Sequence, residues 1–90
     1  MTVDIKDLKA KGDIQGLIKA LQDSDGDVRR AAAQMLGELE DASAVEALIA
    51  VLNDDVSGNV REAAAKALSQ IGGQRAIMAL FEATSKLLGH

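Results

Sequence analysis

The segment from Asp23 to Asp27, DSDGD, carries three carboxylates at alternate positions, as calcium loops do. An EF-hand loop starting at Asp23 would need glycine where Val28 stands and a bidentate glutamate where Gln34 stands. The spacing therefore excludes an EF-hand. We expect these aspartates to make turns and to cap the helix that follows them, and we predict no metal site here.

Residue types that usually build active sites are scarce. The chain has no Cys and one His, the terminal His90. These residues cannot assemble a zinc site of the usual type or a common nucleophile–base pair. Two carboxylates could still perform acid–base chemistry, but no spacing singles out a pair. We predict a protein that is not an enzyme and uses no cofactor.

Composition and charge narrow the class of protein. Hydrophobic residues make up 48% of the chain, with one Phe and no Tyr, Trp or Pro, so the core must consist of small aliphatic side chains suited to closely packed helices. The net charge of −4 disfavours nucleic acid as a partner. We find neither the pattern of a signal peptide nor an apolar run long enough to span a membrane, and we expect a cytoplasmic protein.

An internal repeat organises the chain. Residues 28–39, VRRAAAQMLGEL, align without gaps on residues 60–71, VREAAAKALSQI, with six identical positions at an offset of 32. Upstream, LIKAL at 17–21 matches LIAVL at 48–52, and AVEALI at 44–49 matches AIMALF at 76–81. A repeat of this length is typical of helical arrays.

Apolar residues within each unit recur at helical spacing. The first stripe is Ile14, Leu17, Ile18 and Leu21, which follows the i, i+3, i+4, i+7 pattern of one helix face. The pattern predicts an all-α superhelix (α-α solenoid) of about two and a half helix pairs. It forms a single domain over residues 1–90, with repeats at about 13–41 and 43–72 and a half repeat at 74–88. Candidate N-cap residues are Asp13, Asp25, Asp27, Ser43 and Asn59.

The motifs DVRRAAA at 27–33, LGEL at 36–39, AVEALI at 44–49 and NVREAAA at 59–65 resemble HEAT-like repeats of the phycobilisome-lyase type. The resemblance covers about residues 13–84. It implies a scaffolding or binding role. It also implies that the arginine of each Val-Arg pair bonds acidic loop groups and forms a ladder between units. The arginines are Arg29 and Arg61, and the expected acceptors are Asp23 or Asp25, and Asp54 or Asp55. The alternative is that these arginines bind a carboxylate or phosphate of a ligand.

Two helix faces are left for partners. On the second helices, the residues pointing away from the core fall at i, i+4, i+8 and form two facing rows. These are Arg30, Gln34, Glu38, Glu62, Lys66 and Gln70. Either they form a solvated polar face with one weak Arg30–Glu62 ion pair, or they bind a protein or peptide.

The last helix has the second face at which a partner could bind. We expect an inward stripe of Ile77, Leu80, Phe81, Thr84 and Leu88. Such a helix can cover the end of the stack, with Glu82, Ser85 and Lys86 as its polar side, or pair with a second chain. We slightly favour the monomer. The residues that would mediate pairing are Met78, Phe81, Leu87 and Leu88.

Three functions remain open. The first is a non-catalytic protein–protein interaction or scaffold module with an unidentified partner. The second is a structural protein that dimerises through its C-terminal helix. The third is an accessory subunit of a lyase-type enzyme, as the resemblance suggests.

Overall fold

Within the part of the chain that the structure, a computed structural model, describes, every regular element is helical, as predicted. It describes residues 5–87, without the side chain of Leu87. The elements are α1 (Ile5–Ala10), α2 (Ile14–Ala20), α3 (Gly26–Leu39), a 3₁₀ turn (Ala42–Ala44), α4 (Val45–Asp54), α5 (Gly58–Ile71) and α6 (Gln74–Leu87).

The helices pair in chain order. Helix α2 packs on α3, α4 packs on α5, and the second helices α3 and α5 lie along each other with the most extensive contact. The short helix α1 covers α2 and α3 at one end, where Ile5 and Leu8 pack against the core. Helix α6 packs on α4 and α5 at the other end. The described chain is a stack of helix pairs measuring 43 × 25 × 14 Å.

Side-chain caps fix the starts of two helices where the sequence predicts them. The Asp13 carboxylate accepts a hydrogen bond of 2.9 Å from the backbone N–H of Gly16 at the start of α2. The Asp25 carboxylate accepts one of 2.9 Å from the N–H of Asp27 at the start of α3. Each bond satisfies a backbone donor that has no partner within its helix.

Three other candidate caps are wrong. Asp27 lies within α3, whose N-cap is Asp25. Ser43 does not cap α4, because the chain enters that helix through the 3₁₀ turn, and Asp41 makes the cap by accepting from the N–H of Ser43 at 2.8 Å. Asn59 lies within α5, whose N-cap is Ser57. Ser57 makes no side-chain cap bond; its own N–H donates to the Asp55 carboxylate at 2.9 Å.

The core is built from leucine and alanine. The leucines at its centre are fully buried, and alanines line the surfaces where helices approach one another. Alanine loses no side-chain entropy on burial and allows short interhelical distances. The fully buried leucines are Leu17, Leu36, Leu48 and Leu68.

Gly37 allows a close approach between α3 and α5. A Cβ atom placed on Gly37 would lie 2.7 Å from Cα and 2.9 Å from Cβ of Ala67, and it would also overlap Oε1 of Gln70. The α5 backbone occupies the space that a side chain would need, so only glycine fits at the observed helix spacing.

The expected inward stripe of α6 is wrong at three positions. Leu80 packs against the core, but Ile77 and Phe81 are 59% and 69% exposed, and Thr84 is also exposed. Ala76 and Ala79 are buried instead. Small residues let α6 lie close to α4 and α5, and this packing turns the larger side chains outward. Leu88, the fifth residue of the stripe, lies outside the described residues.

Candidate binding groove and repeat junction

A groove of about 380 Å³ runs between α3 and α5. Its walls carry both rows of polar residues that the sequence places on the outer face of the second helices, joined by Asn59 and Ala63. All six row residues are exposed. The structure thus brings these candidate partner-binding residues together around one concavity: Arg30, Gln34, Glu38, Glu62, Lys66 and Gln70.

Both charge signs are present in the groove. Two cations, Arg30 and Lys66, stand with two carboxylates, Glu38 and Glu62, and with three amide side chains. The predicted Arg30–Glu62 ion pair is not formed: of the residues the structure describes, none makes a salt bridge with either side chain. Their hydrogen-bonding groups are therefore directed to solvent and are available to a ligand.

Helix α1 contacts one residue of the groove. Lys9 Nζ lies 2.9 Å from Oε1 of Glu38, with both side chains about half exposed. An exposed pair of this kind contributes little to stability. Its effect is to hold the Glu38 carboxylate toward α1, which leaves Arg30, Gln34, Glu62 and Lys66 as the more accessible polar groups.

Behind the groove, Arg29 joins the two repeats. Its Nε donates to Oδ2 of Asp55 at 2.8 Å and its Nη2 donates to Oδ1 at 3.3 Å, a forked contact between the first repeat and the second. Nη1 donates to the backbone carbonyls of Asp23 and Ser24 at 2.8 and 3.1 Å. The two side chains are 14% and 7% exposed, so this pair is the most buried of the ion pairs found in residues 5–87.

The junction lowers the pKa of Asp55. The hydrogen bond from Arg29 is the main cause, and the N–H of Ser57 and the charges of Arg29 and Arg61 act in the same direction against the cost of burial. The same hydrogen bond raises the pKa of Arg29. Both shifts favour the charged forms that make the junction.

Of the four acidic residues expected to accept from the arginines, Asp55 is the one whose carboxylate does so, and it binds Arg29. Asp23 reaches Arg29 through its backbone carbonyl, while its carboxylate accepts from the N–H of Asp25. Asp25 serves as a helix cap, and among the hydrogen bonds of the described residues neither arginine donates to Asp54. Arg61 donates to the backbone carbonyl of Asp55 at 2.6 Å and forms no salt bridge with the described residues. Within residues 5–87, the ladder therefore has one rung, between Arg29 and the carboxylate of Asp55.

Arg75 forms a contact that the sequence analysis missed. Its Nε and Nη2 donate to the two carboxylate oxygens of Glu46 at 2.9 and 3.2 Å, which ties α6 to α4. The bond to Glu46 raises the pKa of Arg75. Arg75 stands outside the aligned segments, so the repeat offers no equivalent pair from which to predict it.

The residues proposed for self-association are only partly described. Met78 is 50% exposed and Phe81 is 69% exposed, and Ile77 adds to the same apolar surface. The side chain of Leu87 and all of Leu88 lie outside the described residues. The α6 surface of Ile77, Met78 and Phe81 is called the α6 apolar face below.

Three findings concern other classes of site. Between residues 5 and 87, no group of three or more His, Asp or Glu side chains is arranged to hold a metal ion. The aspartates at positions 23 and 25 each accept a backbone N–H two residues further on, so they make turns. In the same range, no helix has the length and apolarity that crossing a membrane requires.

Comparison with known proteins adds one result. The family model described as HEAT repeats matches residues 14–86, which includes every helix from α2 to α5 and nearly all of α6. No curated protein matches the chain.

Proposed function

The chain belongs to the HEAT repeat family, and from this premise we propose that it is a non-catalytic interaction module whose α3–α5 groove binds a peptide or protein segment. HEAT repeats commonly serve as interaction or scaffold modules. The observation that carries the proposal is the groove itself, where six exposed polar side chains from two equivalent helices surround one concavity of about 380 Å³.

The character of the groove indicates the kind of ligand. Mixed charges and amides without aromatic side chains favour a polar segment that is held by hydrogen bonds, with modest affinity. Arg30 and Lys66 suit ligand carboxylates or carbonyls, and Glu62 suits a ligand cation or N–H group.

The test is affinity capture with a charge-reversed groove. The double variant Glu62→Lys, Lys66→Glu keeps the net charge and reverses the groove locally. Captured proteins from the native lysate are identified by mass spectrometry and compared with those captured by the wild-type protein. We expect partners of the groove to be lost in the double variant.

The matched control is Lys6→Glu, Glu82→Lys, which makes the same exchange at exposed positions on α1 and α6. It should retain the partners. Circular dichroism must show that both double variants fold. If the groove variant recovers the same proteins as the wild-type protein, the proposal fails.

The α6 apolar face supports a second candidate, self-association of the chain. Ile77, Met78 and Phe81 expose large apolar side chains side by side, a surface that isologous dimers commonly bury. Sedimentation equilibrium over a wide concentration range decides this, with Phe81→Asp as the variant that should remain monomeric. A wild-type protein that stays monomeric at high concentration excludes this candidate.

A further inference from the structure

Arg29 and Arg61 are held in the same way at the starts of α3 and α5. Each is the fourth residue of its helix, and each donates from Nη1 to a backbone carbonyl six residues earlier, Asp23 at 2.8 Å or Asp55 at 2.6 Å. A Cβ atom placed on the first glycine of either helix would lie 3.5 Å from Nη2 of that arginine. The two guanidinium groups therefore have matching positions.

The remaining donors of the two arginines differ. Nε and Nη2 of Arg29 bind the carboxylate of Asp55, and the Arg29 side chain is 14% exposed. Arg61 is exposed, and no other group of the described chain accepts from it. It thus presents toward solvent the same fork of donors that Arg29 uses to hold a carboxylate.

A second groove, of about 490 Å³, opens beside Arg61 between α5 and α6. Leu52, Ala65 and Ala83 supply apolar walls, and Lys86 adds a second cation. Glu62 also lines this groove, so the local balance is two positive charges to one negative. The groove combines apolar surface with a net positive rim, in a chain whose overall charge is −4.

We propose that the α5–α6 groove binds an acidic peptide segment of another protein, whose carboxylate takes on Arg61 the position that Asp55 takes on Arg29. The ligand chemistry is an Asp or Glu that binds as Asp55 does, next to a small apolar residue that the groove walls can bury. Only the carboxylate has a counterpart within the chain, because Val56 beside Asp55 is 91% exposed. The apolar residue packs between Ala65 and Ala83, and Lys86 adds attraction to further acidic groups. This surface is separate from the α3–α5 groove, although Glu62 borders both.

The probe is a capped peptide with the sequence of residues 51–57, VLNDDVS, because this segment contains the carboxylate that binds Arg29. It is titrated into the isotope-labelled 90-residue protein and followed by two-dimensional NMR. We expect saturable shifts at Gly58, Ala65 and Ala83 and at the Nε–H of Arg61. The peptide with Asn in place of its second Asp should bind about tenfold more weakly or worse, because a charge-assisted hydrogen bond is lost.

Arg61→Gln should abolish the shifts, whereas Arg30→Gln, one helix earlier in the other groove, should leave them unchanged. Arg61 makes one bond to a backbone carbonyl and is exposed, so its variant should fold, which a thermal melt checks. Equal binding of the Asn peptide, or binding that survives Arg61→Gln, would overturn the proposal.

Two further outcomes would also overturn it by identifying another occupant. Shifts of equal size with inorganic phosphate would show a general anion site. Shifts of the same signals on concentrating the protein without peptide would show that a second copy fills the groove. Neither result bears on the α3–α5 groove. Because Glu62 borders both grooves, Lys66→Glu alone, which changes only the α3–α5 groove, assigns any partner lost in the capture experiment.

Discussion

Asp55 serves two arginines from one position. Its carboxylate holds Arg29 of the first repeat and the N–H of Ser57, while its backbone carbonyl accepts from Arg61 of its own repeat. The sequence showed that arginines and aspartates recur at this junction. It could not show which of the neighbouring Asp54 and Asp55 accepts, because that choice depends on how the chain leaves α4.

The low pKa of Asp55 makes the stability of the protein depend on pH. A carboxyl whose pKa is lower in the folded state stabilises the fold above its unfolded pKa of about 3.9, and this contribution disappears as the pH falls through the folded value. We expect Asp55→Asn to cost about 1–3 kcal/mol near pH 7. The difference from wild type should shrink as urea unfolding is repeated at decreasing pH from about 5 downward.

Asp54→Asn is the matched control, since Asp54 is exposed and next in sequence. Its free energy of unfolding should stay within about 0.5 kcal/mol of wild type at every pH. The interpretation of Asp55 would be wrong if the two variants behaved alike. Asp41, whose pKa is lowered by the Ser43 hydroxyl, keeps its own pH dependence in all three proteins.

For a substitution at Gly37, we predict a change in stability opposite to the one that helix propensity alone predicts. Gly37→Ala gains about 1 kcal/mol of helix propensity, but overpacking a closed interface costs about 1–3 kcal/mol. Here the contact is the α5 backbone at Ala67, which cannot rotate away. We expect a net loss of stability of about 1 kcal/mol or more, measured by thermal unfolding.

Gly58→Ala is the control for that experiment. A Cβ atom placed on Gly58 meets only the flexible Arg61 side chain, at 3.5 Å. The substitution should therefore be neutral or slightly stabilising. A Gly37→Ala protein as stable as the control would show that α3 and α5 are not in close contact at Gly37.

Helix α6 shows a limit of predicting burial from the repeat alignment. The offset of 32 makes Phe81 equivalent to Ile49, which is 8% exposed, and so the sequence predicts Phe81 to be buried. In the second repeat, α4 packs on α5, and Ile49 is buried. None of the described helices covers the face of α6 that contains Phe81. A sequence pattern reports which face is apolar, but burial also needs a neighbouring element.

This difference can be measured with one substitution at two equivalent positions. Ile49→Ala should cost about 2–4 kcal/mol, because it leaves a cavity between packed helices. Phe81→Ala should change the free energy of unfolding by less than about 0.5 kcal/mol in dilute monomer, since its ring is already exposed. Denaturant titration at low protein concentration compares the two. Similar large losses would show that α6 packs in the register the repeat predicted.

Three features of the whole molecule could be predicted from the sequence: the fold class, the pairing of helices and the leucine–alanine core. They could be predicted because the repeat occurs twice and its apolar spacing is regular. The six groove residues could be named in advance for the same reason, as i, i+4, i+8 positions of helices that lie side by side. The Arg75–Glu46 bond, the 3₁₀ entry into α4 and the orientation of α6 depend on single local contacts that occur once and leave no periodic signal.

The helices of the stack should also differ in how readily they unfold locally. Helix α1 has six residues, none of them buried, whereas α3 and α5 contain half of the buried alanines and leucines. Native-state hydrogen exchange should therefore find the amides of α1 exchanging through local opening, and those of α3 and α5 only through unfolding of the whole stack. If α1 were as protected as α5, the stack would instead unfold as one cooperative unit.

Gly37 has a consequence for anyone who extends this protein by design. The equivalent residue of the second repeat is Ser69, which is exposed in this chain. If the second repeat were duplicated, Ser69 would face the backbone of the added helix where Gly37 now faces Ala67, and the two helices would be pushed apart. Each added repeat would then tilt from its predecessor, and the array would curve differently from the first junction. Replacing Ser69 with glycine should restore the original spacing between the helices. The presence or absence of a Cβ atom at this position of each repeat would then set the curvature of an extended array.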